Sequence, residues 1–267
     1  PTCSNALNLE FYFRLIQNKR TMKKETLAKL IDHTMLNQTA GIKDITRLCA
    51  EAKHYRFKSV CVNPAYVPLC KNELEGTDVK ICTVIGFPLG ATTTEAKAYE
   101  AAEAILNGAD EIDMVINAGD AAECRFNSIQ LDIAGVVNAA RDAGAKTGKT
   151  VTVKVILETC FLADTTIVTC CQCAIRSGAD FVKTSTGFAT PKDSSGNILP
   201  NGASAHHVEL MRKTVGKNFG VKASGGIRNA KKTLEMILAG ANRIGTSSGI
   251  QIIETWDESV KIPGWDE

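Results

Sequence analysis

A helix-ending glycine junction recurs three times along the chain and constrains the fold more than any other feature. The copies read Asn-Gly-Ala-Asp at 107–110, Ser-Gly-Ala-Asp at 177–180 and Ala-Gly-Ala-Asn at 239–242. Each lies between a helical pattern and a short apolar run, where a glycine takes the left-handed conformation that ends a helix. From Gly108 to Gly178 is 70 residues and from Gly178 to Gly240 is 62, so each interval holds two helix-strand units of about 31 to 35 residues.

Eight strand-like runs alternate with helical patterns along the chain. The runs lie at residues 30–34, 59–62, 80–84, 111–116, 150–156, 181–184, 220–223 and 243–245. Helical patterns between them include 94–106, 128–143, 164–176 and 229–238. Regular alternation predicts an α/β protein with a parallel sheet, and a single-domain (β/α)8 TIM barrel is its simplest closure. A doubly wound open sheet is the alternative, which the lack of a Gly-x-Gly-x-x-Gly turn after the first strand disfavours.

Charge and hydropathy narrow the class of partner. The formal net charge of +2 over 267 residues lacks the basic excess of a protein that binds nucleic acid or membrane surfaces. No apolar run approaches the roughly 20 residues that span a bilayer, and the N-terminus lacks a secretory pattern. We therefore expect a cytoplasmic protein whose partners are small molecules, with neither nucleic acid nor membrane among them.

The cysteines and histidines do not predict a metal site. A chain of this length needs no disulfide scaffold, so we expect its ten cysteines to be reduced thiols. His206 and His207 are adjacent and should point different ways on a helix, while His33 and His54 have no partner at metal-ligand spacing.

Residues 1–22 lie outside the repeat. We interpret them as an N-terminal extension, either foreign to the natural protein or forming a helix over residues 9–16 that covers the barrel. Residues 23–267 form the predicted barrel domain.

Two lysines end neighbouring apolar runs: Lys183 follows Phe-Val and Lys222 follows Val. In a barrel the C-terminal ends of the strands share the rim where active sites are built. Asp113 lies within another apolar run and would need a cationic partner there. Burial and a neighbouring cation lower the pKa of a lysine, so the pair indicates a Schiff-base nucleophile, with Lys183 the candidate. The alternative is that Asp113 and one of the lysines form a purely structural ion pair. Lys154 suits a role in the same charge network better than a role as a second nucleophile.

Glycine- and serine-rich loops follow the seventh and eighth predicted strands, at residues 224–228 and 245–249. Both precede helices, so their backbone N–H groups could form the phosphate cradle typical of this fold. Either loop alone would also suit an ordinary turn. Asp32 ends the first strand, where it could hydrogen-bond a substrate hydroxyl or cap the next segment.

Together these motifs resemble those of the class I deoxyribose-phosphate aldolases, from about Lys24 to Ile252. The matching segments are residues 32–34, 59–64, 85–90, 109–115, 154–159, 183–188 and 222–228. The resemblance implies reversible cleavage of 2-deoxy-D-ribose 5-phosphate to acetaldehyde and D-glyceraldehyde 3-phosphate in deoxynucleoside breakdown, without a cofactor. We also expect a homo-oligomer, either a dimer or a tetramer.

The resemblance also implies roles for individual residues. Lys183 would form the Schiff base, Lys222 would lower the pKa of Lys183, and Asp113 with Lys222 would relay protons. The expected phosphate-binding residues are Gly187, Gly225, Gly226, Gly245, Ser247 and Ser248. The expected substrate-binding residues are Asp32, Thr34, Lys154 and Thr186.

The chain departs from the family pattern at three places. Residues 190–202 form a longer loop than the glycine-rich one of many relatives, and the C-terminal tyrosine of some relatives is missing from residues 264–267. Phe188 stands where other members have a lysine, which leaves less positive charge near the phosphate. Two alternatives remain: another Schiff-base aldolase or transaldolase for a related phosphosugar, and a catalytically silent phosphosugar-binding barrel.

Overall fold

The computed structural model describes residues 19–263 and contains a closed barrel of eight parallel strands. Strands β2 to β9 form the barrel, and β1 pairs antiparallel with β10 outside it. Closure through the β2–β9 pair confirms the predicted (β/α)8 barrel and excludes the open sheet. The strands are β1 (Lys19–Thr21), β2 (Ile31–Met35), β3 (Ser59–Val62), β4 (Lys80–Ile85), β5 (Glu111–Val115), β6 (Thr152–Ile156), β7 (Phe181–Lys183), β8 (Gly220–Ser224), β9 (Arg243–Thr246) and β10 (Lys261–Pro263).

Helices connect successive barrel strands and begin on the side where the strands end. They are α1 (Lys24–Ala28), α2 (Ile42–Tyr55), α3 (Val67–Glu73), α4 (Thr94–Asn107), α5 (Ala118–Ala122), α6 (Phe126–Thr147), α7 (Asp164–Arg176), α8 (Ala205–Val215), α9 (Ala230–Leu238) and α10 (Gly249–Glu254). Short 3-10 turns lie at Pro64–Tyr66 and Thr159–Phe161. None of the helices within residues 19–263 combines the length and apolar character that a bilayer crossing requires.

The three junction glycines end their helices as predicted. Gly108, Gly178 and Gly240 have φ angles of 128°, 77° and 106°, a region that side chains other than glycine rarely adopt. The helix beginnings are set by side chains that accept a backbone N–H: Ser204 caps α8 and Asn229 caps α9. Local chemistry therefore determines where each helix stops and where the next strand starts.

Two different cores result from the alternation of side chains along the strands. Residues that face outward, such as Ile112 and Val155, join one large apolar cluster with the surrounding helices. The barrel interior instead contains a small apolar group around Cys61, Cys82 and Val84, and a set of buried charges. Because consecutive strand residues face opposite sides, one apolar run supplies both cores.

The two ends of the described part, near residues 19 and 263, meet on the face of the barrel where the strands begin. β1 pairs with β10, and the indole Nε1 of Trp256 donates a hydrogen bond to the carbonyl of Met22 at 2.9 Å. The predicted helix over residues 9–16 and the C-terminal residues 264–267 lie outside the described part, so the boundary at residue 22 stays a prediction.

Candidate active site

Within the described part of the chain, seven charged side chains fill the interior of the barrel, and none is more than 5% exposed. They occupy inward positions two residues apart on the strands, as Glu111 and Asp113 do on β5. Four are cations and three are carboxylates, so the network carries one cation in excess when every group is charged. The set comprises Lys154, Lys183, Lys222, Arg243, Asp32, Glu111 and Asp113.

Asp113 lies at the centre of this network. Its Oδ2 accepts hydrogen bonds from Nζ of Lys183 and Nζ of Lys222, both at 2.7 Å. Its Oδ1 accepts from Nζ of Lys154 at 3.0 Å. Burial opposes the charge on Asp113, but the three ammonium groups outweigh burial and hold its pKa well below the usual value. Asp113 is therefore a permanent anion between two lysines.

The cations differ in how many carboxylates they contact. Lys222 also pairs with Asp32 at 2.5 Å, whereas among residues 19–263 the one carboxylate paired with Lys183 is Asp113. Burial lowers the pKa of Lys222, but Asp113 and Asp32 outweigh burial and raise it well above the usual value. Arg243 likewise pairs with both Asp32 and Glu111, at 2.7 and 2.9 Å. Lys183 is thus the least compensated of the four cations.

A cavity of about 220 Å³ opens above Lys183, which is the last residue of β7. Of the lining residues that the structure describes, eight were not assigned individually, among them Phe188 and, within the predicted loop at 224–228, Arg228. The predicted residues that line the cavity are Lys183, Thr34, Thr186, Gly225, Gly226, Gly245 and Ser247. The structure therefore brings the candidate nucleophile and most of the predicted phosphate loops to one opening.

Glycine is required at different positions of this cavity for different physical reasons. Gly225 and Gly226 have φ angles of 86° and 75°, and a Cβ on Gly226 would meet no atom within 4 Å. The space beside Gly226 is therefore open to a ligand. A Cβ on Gly245 would lie 3.0 Å from Cε of Lys222, so Gly245 leaves room for that lysine to cross the barrel.

The structure places two of the expected substrate-binding residues away from the cavity. Asp32 and Lys154 are fully buried and do not line the cavity. Asp32 accepts hydrogen bonds from Ser59 and Arg243, both at 2.7 Å, and Lys154 pairs with Glu111 at 2.5 Å. Both residues act within the charge network, because their polar atoms are already used there.

Two predicted phosphate residues lie at the edge of the cavity. The backbone N–H of Ser248 donates to Oγ1 of Thr246 at 2.9 Å, so it is already used in the turn before α10. Gly187 is exposed and has a φ of 85°, and its Cβ position is 3.7 Å from Cα of Gly225. Neither lines the cavity wall.

Glu158 is a further functional candidate. It lies in the family-like segment 154–159 but is not among the residues whose roles were predicted. It has a φ of 54°, is 4% exposed, and accepts hydrogen bonds from both the backbone N–H and Oγ1 of Thr186. Burial raises the pKa of its carboxyl, although the hydrogen bonds from Thr186 oppose this. Glu158 also lines a second cavity, of about 250 Å³, that shares Thr186 and Phe188 with the first. A residue other than glycine in the left-handed conformation can indicate strain at a functional site, but the sequence alone does not reveal that conformation.

Arg228 and the long loop complete the rim. Arg228 is exposed at the cavity and supplies positive charge near Gly226. Phe188, which also lines the cavity, contributes no charge. In the loop at 190–202, Lys192 forms a bridge with Ile198. The backbone N–H of Ala203 donates to the carbonyl of Gly225 at 3.0 Å. The long loop is therefore fastened directly to the glycine turn of the cavity.

Interior thiols do not make this site a metal centre. Cys61, Cys82 and Asp113 approach one another closely enough to share an ion. Burial, however, raises the pKa of the Cys82 thiol well above its usual value, so it is not a thiolate ligand. The ammonium groups around Asp113 would also repel a metal cation.

Comparison with known proteins agrees with this geometry. The profile of a family described as "DeoC/LacD family aldolase" matches residues 26–254. The deoxyribose-phosphate aldolase of Clostridium tetani is 53% identical over 228 residues, which are 85% of this chain and 98% of that protein. That of Carboxydothermus hydrogenoformans is 51% identical and covers 85% of this chain and 94% of its own. The tetrameric deoxyribose phosphate aldolase of Aeropyrum pernix superposes with a TM-score of 0.76 and 34% identity, over 87% of this chain and 91% of its own.

Proposed function

This chain belongs to the DeoC/LacD family of aldolases, and we propose that it reversibly cleaves 2-deoxy-D-ribose 5-phosphate to acetaldehyde and D-glyceraldehyde 3-phosphate through a Schiff base on Lys183. One observation carries the assignment of the nucleophile. Lys183 lies at the cavity and shares a single oxygen of Asp113 with Lys222. The names of the relatives above support the choice of substrate.

The charge balance explains why Lys183 would be the lysine that loses its proton. The interior has four cations and three carboxylates, so the loss of one proton leaves it balanced. Lys222 and Lys154 each contact two carboxylates, while Lys183 contacts one and lies at the cavity. Deprotonation therefore costs least at Lys183, and it yields a free amine where a substrate carbonyl can reach it.

The reaction then follows from the chemistry of an imine. The Nζ of Lys183 attacks the C1 aldehyde of the open-chain sugar, and loss of water gives an iminium ion. The iminium accepts the electron pair as the C2–C3 bond breaks, while the C3 hydroxyl loses its proton and D-glyceraldehyde 3-phosphate departs. Protonation of the remaining enamine at C2 and hydrolysis release acetaldehyde and restore the lysine.

Asp113 and Lys222 are placed to move protons around this nitrogen. The ammonium of Lys222 can donate to the departing hydroxyl of the carbinolamine, and Asp113 stabilises the positive iminium. Asp32 keeps Lys222 charged from the far side of the network. Asp32 is thus a positioning residue in this proposal and does not contact the substrate.

The phosphate would occupy the open space beside Gly226. Gly225 and Gly226 before α9 and Ser247 before α10 line this part of the cavity, and the beginnings of helices favour negative charge. Arg228 adds a full positive charge at the rim. Thr34 and Thr186 line the same opening and are our candidates for the sugar hydroxyls.

Two further parts of the proposal concern the protein in the cell. We propose a homo-oligomer, supported by the tetrameric relative from Aeropyrum pernix. We also propose a cytoplasmic location, which suits the free cysteine thiols of the described residues, since such thiols persist in reducing compartments.

Imine trapping tests the proposal. Borohydride added with deoxyribose 5-phosphate, or with acetaldehyde alone, should label Lys183 irreversibly, and peptide mapping by mass spectrometry should find the label there. Lys183→Met should abolish label and turnover, whereas Lys232→Met on the surface of α9 should keep both. A label confined to Lys222, or none on a protein that turns over substrate, would refute the assignment. Trapping with dihydroxyacetone phosphate but not with acetaldehyde would identify a different aldolase.

A further inference from the structure

We propose that Asp164, His206 and His207 form a binding site for a divalent transition-metal ion of the Zn²⁺ class, outside the catalytic centre. A carboxylate oxygen of Asp164 and one ring nitrogen of each histidine lie within 4.8 Å of one another. Imidazole and carboxylate are ligands that Zn²⁺, Co²⁺ and Ni²⁺ share. The inference does not depend on the reaction proposed above.

Side-chain length lets the two histidines approach each other although they are adjacent in the sequence. His206 and His207 leave α8 in different directions, yet their ring centroids lie 5.4 Å apart. Asp164 comes from α7, and its Oδ2 is 2.8 Å from Nε2 of His206. The third ligand is thus supplied by a neighbouring helix rather than by local spacing along the chain.

The geometry needs only a small contraction to hold an ion. Metal–ligand distances near 2.1 Å in a tetrahedral site place the ligand atoms about 3.4 Å apart. The Asp164–His206 pair is already closer than that, and both side chains are more than half exposed, so their rotamers can adjust. Solvent access also leaves the fourth position to water.

His207 distinguishes a metal site from an ordinary surface ion pair. Asp164 and His206 alone would explain a salt bridge, which needs no third residue. Nδ1 of His207, however, is buried without a hydrogen-bond partner. Within the described residues no protein group therefore holds the His207 ring at Nδ1, and the ring can turn until one of its nitrogens meets an ion.

The position of the site gives it a structural consequence. Asp164 begins α7 and follows the loop that contains Glu158, while the histidines begin α8 and follow the loop that contains Thr186. The inner parts of these loops already meet through the hydrogen bonds from Thr186 to Glu158. An ion at the outer ends would join the same two loops a second time, and so stabilise the mouth of the cavity.

Metal titration tests the proposal on the full chain. Protein stripped with EDTA and titrated with Co²⁺ should show visible absorption bands of a nitrogen- and oxygen-ligated site, with one ion per chain. Zn²⁺ should displace Co²⁺ and raise the Tm. The variants His206→Ala, His207→Ala and Asp164→Ala should each weaken binding at least tenfold, by analogy with the loss seen when metal-site partners are removed.

His54→Ala provides the matched control, because His54 is an exposed histidine outside the cluster. It should leave Co²⁺ affinity and the Zn²⁺ effect on Tm unchanged. Co²⁺ affinity that survives His207→Ala would overturn the three-ligand site and leave a plain ion pair. Equal losses in His54→Ala, or no binding at micromolar Co²⁺, would overturn it as well.

Discussion

Replacing Lys222 with methionine should change the pH dependence of catalysis more than the fold. In the wild-type protein Lys183 and Lys222 each lie 2.7 Å from Oδ2 of Asp113, so their nitrogens are at most twice that distance, 5.4 Å, apart. The positive charge of Lys222 therefore opposes a second positive charge on Lys183. Methionine has a similar length and no charge, and it removes that repulsion.

The size of the effect follows from this distance. Two unit charges 5.4 Å apart at an effective dielectric constant near 20 repel by about 3 kcal/mol. Since 1.36 kcal/mol corresponds to one pH unit, the acidic limb of kcat/KM should move upward by about two pH units. The charge count points the same way, because the variant has three cations for three carboxylates and needs Lys183 to stay charged.

The assay is the retro-aldol rate on deoxyribose 5-phosphate between about pH 6 and pH 10, with circular dichroism to check the fold. Lys154→Met is the matched control, because it removes an equally buried ammonium from the other oxygen, Oδ1. It should shift the profile less, since Lys154 does not share an oxygen with Lys183. A Lys222→Met profile with an unmoved acidic limb would refute the coupling between the two lysines.

Five other predictions address the phosphate site, the hydrogen bonds between Glu158 and Thr186, the pH dependence of stability at Glu158 and at Asp113, and chelation. Gly226→Ala should raise KM for deoxyribose 5-phosphate strongly and affect unphosphorylated deoxyribose little, because a Cβ would enter the open space; equal losses on both substrates would contradict a phosphate site there. Glu158→Ala should raise KM about tenfold or more by leaving the donors of Thr186 unpaired, whereas Glu158→Gln should retain most activity. Because the pKa of Glu158 is raised, its contribution to stability is full below about pH 4.5 and is lost as the pH rises. Above that pH, the free energy of unfolding of Glu158→Gln should therefore vary less with pH than that of the wild-type protein. The lowered pKa of Asp113 has the opposite effect: its contribution to stability is present above pH 3.8 and is lost on acidification. Asp113→Asn should therefore make the free energy of unfolding, measured with denaturant, depend less steeply on pH below pH 4. EDTA should leave the borohydride labelling of Lys183 by acetaldehyde unchanged, and a loss of that label restored by Zn²⁺ would contradict the lysine mechanism.

Much of the fold could be read from local patterns. The helix over 164–176 and the strand over 59–62 were predicted with the bounds that the structure shows, because caps and apolar runs are local features. The strand expected to begin at Thr150 begins instead at Thr152, where pairing with Glu111 starts. Register with a neighbouring strand decides such an end, and that neighbour lies some 40 residues away in sequence.

The sequence by itself determined the alternation of helix and strand, the inward period of the strand residues and the identity of the candidate lysine. These follow from local rules: which residues end a helix, which alternate along a strand, and which charge ends an apolar run. Only the tertiary structure decided how the charges pair. It pairs Asp32 with Lys222 and Arg243, pairs Glu111 with Arg243, and brings Glu158 against Thr186.

The physical reason is that barrel closure brings together residues from distant strands. Asp32 on β2 pairs with Arg243 on β9, which is 211 residues away in the chain. The partner of a buried charge is chosen by that geometry, since each charge must find a counter-charge where the barrel places it. Residue type specified which groups could take part in the chemistry, and the closed barrel specified which of them meet the substrate.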